Sequence, residues 1–284
     1  MISVENILKK VDSLPPFPAA VSKLLTLLRD PSVTPDDIAE TVKLDQALTS
    51  SVLRLCNSSY YSLRREIKNL SEAIVYIGLA EVKKIIVNSG TRKYFEKRKP
   101  GYEDDRGEIW RHAIATSIIA ETIGKKINCP EKDYLYISAL LHDIGKLVLS
   151  EFVEDQSSKI FALVDEEKIS FLDAEKRVLG ITHADVGAEV LIYWKFPDVI
   201  VSAVRKHHMA FGEEDTMIEN IVRLADSLAM LMGFETSVDG LAYKGFTDIG
   251  RLYGLNGDDL ESIMAVSIEE ISRVEAEFGI SKEV

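Results

Sequence analysis

The residues in this chain best able to do chemistry are five histidines: His112, His142, His183, His207 and His208. All lie between positions 112 and 208 of 284. Neutral imidazoles combined with carboxylates suit Fe, Mn, Ni or Zn better than Mg or Ca. The expected cofactor is therefore one or two divalent transition-metal ions, Fe or Mn first and Ni or Zn next. The two cysteines, Cys56 and Cys129, are far apart and form no CxxC pair. That argues against a structural zinc knot and fits reduced thiols.

Each histidine has a bland reading beside the chemical one. His142 and Asp143 end the apolar run 134–141 and point inward, where a carboxylate is costly unless paired or bound to metal. The alternative is a helix C-terminus, with Asp143 capping and His142 favoured by the dipole. Asp226 has Val222, Arg223, Ala229 and Met230 as helical neighbours, a mostly apolar surface; it is either a metal ligand or the partner of Arg223. His207 shares a face with Ile200, Ala203 and Val204, and His208 is turned from it toward Val201 and Val204. The pair reads as tandem ligands or as the polar end of a helix. His183 opens a helix behind Thr182, and Gly187 four residues on allows another chain segment to come close; a polar first-turn residue is the alternative. Glu108 stands one turn before His112, as a ligand or as a surface i,i+4 partner.

The elements that position these residues are helical throughout, with no strand series able to build a sheet. Val21, Leu24, Leu25 and Leu28 mark one apolar face. The segment 14–18, Leu-Pro-Pro-Phe-Pro, is extended and stops at a helix start. Thr34-Pro35-Asp36-Asp37 is a helix opening, and Asn69 with Glu72 resembles a capping box. Gly78 closes the helix that follows. The charged, Pro- and Gly-containing stretch 97–107 is the clearest break. Helices are expected near 108–127, 131–150, 157–178, 182–194, 197–209 and 216–233. The region from 234 starts loop-like, with Gly240, Gly245, Gly250 and Gly254, and ends in a helix over 258–278. This gives an N-terminal helical subdomain (1–100) packed on a central helical core that carries the candidate site (101–235), and a C-terminal extension (236–284).

Composition narrows the function. Lys plus Arg is 34 against 46 Asp plus Glu, a net charge of −12. No basic face for displacing counterions from phosphates is evident, which excludes nucleic acid as an expected partner. The amphipathic start lacks a signal-peptide core, and the longest apolar stretch, near 73–80, is far below the ~18 residues of a membrane span. A soluble cytoplasmic protein is the expectation.

The order His … His-Asp … Asp resembles the HD superfamily of metal-dependent phosphohydrolases. The N-terminal half is more specific. The segments 14–18 (Leu-Pro-Pro-Phe-Pro), 45–48 (Asp-Gln-Ala-Leu), 52–58 (Val-Leu-Arg-Leu-Cys-Asn-Ser) and 67–78, from Ile-Lys-Asn-Leu-Ser-Glu-Ala-Ile through Gly78, are similar to the HDOD family. This HD-related output domain occurs in bacterial signalling proteins, and the likeness covers roughly 10–235. It implies an all-α multi-helix bundle and a regulatory role. His112, His142, Asp143 and Asp226 match the four HD ligands. His183 with Gly187, and His207-His208, match the second metal site of the related HD-GYP phosphodiesterases, and Glu108 matches a carboxylate available to a third ion in some of them. After His208 the chain reads Met-Ala-Phe-Gly-Glu-Glu-Asp, so the Asp-Gly-x-Gly-Tyr-Pro signature of cyclic-di-GMP phosphodiesterases is absent.

The resemblance implies two functions. One is a signalling output module with a retained, binuclear metal site and no turnover, which takes its input from a signalling protein in trans and has a small nucleotide as its candidate ligand. The other is a phosphohydrolase or phosphodiesterase acting on a nucleotide or cyclic dinucleotide. In that reading Asp143 bridges two ions and Lys146 contacts a non-bridging phosphate oxygen, unless Lys146 is a solvated surface lysine.

Overall fold

A computed structural model describes residues 4–12, 14, 16–27, 34–58, 61, 65–95, 102, 107–212, 214–234 and 246–278. Among these residues every regular element is a helix and no strand occurs. In chain order they are α1 (Val4–Asp12), α2 (Ala19–Leu27), α3 (Pro35–Lys43), α4 (Gln46–Cys56), α5 (Leu70–Ile77), α6 (Leu79–Phe95), α7 (Glu108–Lys126) and α8 (Lys132–Leu140). Then come α9 (Lys146–Glu167), α10 (Phe171–Leu179), α11 (His183–Tyr193), α12 (Asp198–Lys206), α13 (Met217–Leu231), α14 (Phe246–Leu252) and α15 (Gly257–Phe278).

The chain forms two compact units, one of Met1–Leu14 with Phe95–Val274 and one of Pro15–Tyr94 with Glu275–Val284. This partition differs from the three consecutive segments read from sequence. Helix α1 joins the larger unit because Ile7 and Val11 are buried and it packs on α9 and α11.

In the smaller unit, helix ends are set by local side-chain chemistry. Thr34 and Asp37 close a reciprocal capping box at α3, with Pro35 in the first helical position. Asp45 caps α4, and Asn69 caps α5 by accepting from the Glu72 N–H. Gly78 ends α5 at φ 91°, a conformation that side chains rarely adopt. Apolar faces meet between these ends: Val21, Leu24, Ile38, Val42, Val52 and Ile74 are buried. Of the face read from sequence, Leu28 lies outside the described residues, as does most of the 97–107 break.

In the larger unit, α7 packs on α8 and α13, and all three are apolar over much of their surface. A helix buried nearly all round needs no polar stripe, and Ile109, Ala113, Ile114, Ala115, Ile118 and Ile119 cover most of the circumference of α7. Two helices expected as single pieces are broken. The run 131–150 stops at Leu140 and resumes at Lys146, with a turn over 141–145. The run 157–178 breaks at Lys168, which takes φ 55°, after which Ser170 caps α10 by accepting from the Asp173 N–H. Gly250 lies within α14 where a loop is expected, while 235–245 are outside the described residues. Among the described residues no helix is long and apolar enough to cross a membrane.

Candidate metal centre

The turn over 141–145 presents His142 and Asp143 to the interior, and two glycines make its position achievable. A Cβ on Gly145 would lie 1.9 Å from the His183 carbonyl oxygen and 2.6 Å from the Gly187 nitrogen. A Cβ on Gly187 would in turn lie 3.2 Å from the Gly145 nitrogen. The backbones therefore touch, which is the close approach expected at Gly187. The contact holds the turn against the first turn of α11, whose Thr182–Asp185 capping box places His183 at the helix start. His112 projects from α7, His207 and His208 follow the end of α12, and Asp226 projects from α13.

These side chains converge. Asp143 uses its two oxygens in different directions. Oδ2 lies 3.4 Å from His142 Nε2 and 3.8 Å from His112 Nε2; Oδ1 lies 3.4 Å from His183 Nε2 and 3.7 Å from His207 Nε2. Two sets of ligand atoms share this carboxylate: His112, His142 and Asp143 in one, and Asp143, His183, His207 and His208 in the other. Asp226 Oδ1 is 3.0 Å from His112 Nε2 and 3.6 Å from His142 Nε2, and its Oδ2 is 3.7 Å from His208 Nδ1. Every member is at most 3% exposed at the side chain.

Second partners fix the rings. The Nδ1 atoms of His112, His142 and His207 lie 2.5, 2.6 and 2.6 Å from the carbonyl oxygens of Phe234, Ala139 and Val204. A carbonyl only accepts, so each Nδ1 carries the hydrogen and each Nε2 aims inward. Outer hydrogen bonds of this kind are the usual support of metal-binding histidines. The His112 and His142 Nε2 atoms are then 3.1 Å apart, and those of His183 and His208 are 2.8 Å apart. For His112 and His142, whose Nδ1 atoms carry the hydrogens, the facing Nε2 lone pairs repel at that distance unless a proton or a cation lies with them.

The charges behave accordingly. Burial disfavours the charged form of His142, but Asp143 and Asp226 outweigh it and raise its pKa to about 9. Asp143 is held well below the usual carboxylate range by Lys146 and His142, against the opposing effect of burial. His208 is pushed well below the ordinary histidine range by burial and by His207 and His183. Asp143 Oδ1 and His207 Nε2 are buried without a hydrogen bond. Leaving such groups unsatisfied costs about 1–3 kcal/mol each. A divalent cation would satisfy a carboxylate oxygen and imidazole lone pairs together, so the donor set fits a transition metal.

Asp226 faces the histidines, and Arg223 instead donates to Asp215 at 3.2 Å and to the Lys206 carbonyl at 3.2 Å. Lys146 is no solvated lysine: it is fully buried, with Nζ 2.9 Å from Asp143 Oδ2. His112 faces His142 and Asp226, while Glu108, one turn earlier, belongs to neither convergent set.

Two features escaped the sequence reading. The network of Arg223, Asp215, Lys206 and Glu219 clamps the segment that carries His207 and His208. Glu175 on α10 is fully buried and accepts from His183 Nδ1 at 2.8 Å. Its place on the buried face formed by Phe171, Ala174 and Leu179 was the available signal.

The helical fold and the paired His/Asp sets define an HD-like helical protein with a candidate metal centre. More narrowly, the chain belongs to the HDOD domain family, which it matches over residues 14–210. It is similar to a structure of an HDOD domain protein of unknown function from Geobacter sulfurreducens, with 28% identity, a TM-score of 0.75, and coverage of 96% of this chain and 98% of that one. A protein from Shewanella amazonensis SB2B, provisionally named a phosphohydrolase, shares the fold at a TM-score of 0.68 and 22% identity, covering 95% and 94%. An uncharacterized protein of Treponema pallidum (strain Nichols) is 23% identical over 207 residues, 72% of this chain and 39% of its own length. The chain spans less than half the length of the curated relatives it matches.

Proposed function

We propose that this chain is a regulatory output module of the HDOD type in which two divalent transition-metal ions, Fe or Mn, tie together α7, the turn before α9, α11, α12 and α13. The observation that carries this reading is the two-sided Asp143. Its oxygens address two sets of imidazoles, one from its own turn and the others from three other parts of the fold, all nearly inaccessible to solvent. A closed site suits binding over turnover, because metal affinity there becomes folding free energy. A signalling protein in trans supplies the input in this account. At a metal concentration 100 times Kd each ion contributes about 2.7 kcal/mol, so chelating both should lower Tm by roughly 10–20 °C. An unchanged Tm on chelation contradicts the proposal.

A second reading, metal-dependent hydrolysis of a phosphate ester, is favoured by one observation: Lys146 brings a buried ammonium to the shared carboxylate. When bound, two ions supply an activated water and neutralise phosphate charge. Of the chain's own groups, Asp143 and Asp226 hold the cluster together and Lys146 adds a positive charge suited to a phosphoryl oxygen. A nucleotide or cyclic dinucleotide is the substrate class. The test is hydrolysis of bis(p-nitrophenyl) phosphate by Mn²⁺- or Fe²⁺-loaded protein and by Lys146→Met. Metal-dependent turnover lost in the variant supports this reading, and none in the loaded wild type rejects it.

A further inference from the structure

Among the four histidines whose Nδ1 partner is defined, His183 alone is backed by a carboxylate. For His142 and His207 the partner carbonyl stands three residues earlier in the same stretch, at Ala139 and Val204. Such a partner comes with the helix end itself. Glu175 comes from a different helix, and its own geometry is fully determined. Oε2 accepts both the backbone N–H of His183, at 3.0 Å, and its Nδ1–H, at 2.8 Å. Oε1 accepts the hydroxyl of Tyr102. Both Glu175 and Tyr102 are fully buried. A glutamine in this position has a single acceptor oxygen for three donors, so the carboxylate is the side chain the arrangement requires. A buried carboxylate is costly to keep and calls for a compensating charge nearby. The ligand cluster next to it is where a cation would reside.

We propose that Glu175, held by Tyr102, is a positioning residue for the His183–His207–His208 half of the centre: it keeps His183 protonated on Nδ1 with Nε2 toward Asp143, and so sets that half's affinity without touching the ion. This rests on the two-ion reading above. A carboxylate behind a metal-bound imidazole makes it a stronger donor, and loss of such an outer partner typically weakens metal binding about 10–100-fold. The other half is backed by the neutral carbonyls of Phe234 and Ala139 and should not respond.

The test is equilibrium Mn²⁺ binding to the metal-stripped full chain, with free Mn²⁺ read by electron paramagnetic resonance. Wild type is compared with Glu175→Gln, Glu175→Ala and Tyr102→Phe. Wild type should bind two ions. Glu175→Gln and Glu175→Ala should weaken one of them about 10–100-fold and leave the other unchanged. Tyr102→Phe should weaken the same ion by less. If Glu175→Ala fails to fold, the Gln and Phe variants carry the comparison. Unaltered affinities, or equal weakening of both ions, overturn the inference and leave the two-ion reading standing. A wild type that binds one ion overturns the inference together with the two-ion count. A wild type that binds none overturns the metal reading as well.

Discussion

The two compact units handle buried polar groups in opposite ways. In the unit of 15–94, the buried Thr41 and Thr91 hydroxyls donate to backbone carbonyls of their own helices, at Asp37 and Val87. The core around them is largely apolar, and the Thr34, Asp37, Asp45 and Asn69 side chains serve helix ends. In the unit of 95–274, His112, His142, Asp143, Lys146, His183, His207 and Asp226 are buried against one another. Apolar residues of similar volume would pack there at lower desolvation cost. A polar side chain bonded to its own helix is explained by folding, whereas a buried cluster of charges drawn from several helices is explained by what it holds.

The largest expected effect breaks the charged cluster. Asp143→Ala leaves the Lys146 ammonium buried without its carboxylate partner, and should destabilise the metal-free protein by about 3–5 kcal/mol in urea unfolding. Adding Lys146→Met to that variant should restore a large part of the stability but none of the metal binding. A double variant no more stable than the single one would show that the pair is not what the cluster depends on.

Ile38→Ala probes the apolar unit. Ile38 is fully buried on α3, and the change should cost about 2–5 kcal/mol. Metal affinity of the folded protein should stay as in wild type. A fall in affinity would mean that the two regions are not separate in function.

Gly145→Ala sharpens the comparison from the other side, since its Cβ would meet the His183 carbonyl oxygen at 1.9 Å. Overpacking of this kind costs about 1–3 kcal/mol, and the shift of α11 should also lower metal affinity. Stability lost with metal binding intact would show that the turn is only a packing device.

The smallest effect concerns Cys56. Burial and Glu277 push its thiol up to about 12 from an ordinary value of 9.0. The folded state therefore holds its proton more tightly than the unfolded one. The stability this thiol contributes is intact below pH 9 and is lost as pH rises toward 12. In a Cys129→Ala background, iodoacetamide at pH 9 should modify native Cys56 far more slowly than the urea-unfolded chain. Equal rates would contradict its burial.

Much of the apolar unit was legible from short-range chemistry. The Thr34 cap, Pro35, the Asn69 cap and the positive φ of Gly78 all follow from local rules. The site was legible as a set of residue types. Asp226 on an apolar face and Gly187 one turn after His183 marked it, and family resemblance supplied the pairing. What the sequence did not reveal depends on distant partners. The turn at 141–145 sits in a run with unbroken helical spacing, and only Gly145 against α11 shows why the chain must leave the helix there. For Lys146 the sequence left a phosphate contact and a solvated surface position both open, because its burial is set by tertiary contacts. Glu175 and the Arg223–Asp215 clamp act through residues eight or more positions away, which helical periodicity does not reach.

The central claim is that these buried histidines hold metal, and metal content tests it most directly. The full chain would be purified without chelator or affinity tag, beside a His142→Ala/Asp143→Ala variant, and both assayed by inductively coupled plasma mass spectrometry. The account predicts two equivalents of Fe or Mn per chain in the wild type, lost in the variant. A wild type that holds no transition metal, even after anaerobic reconstitution with Fe²⁺ or Mn²⁺, would contradict it.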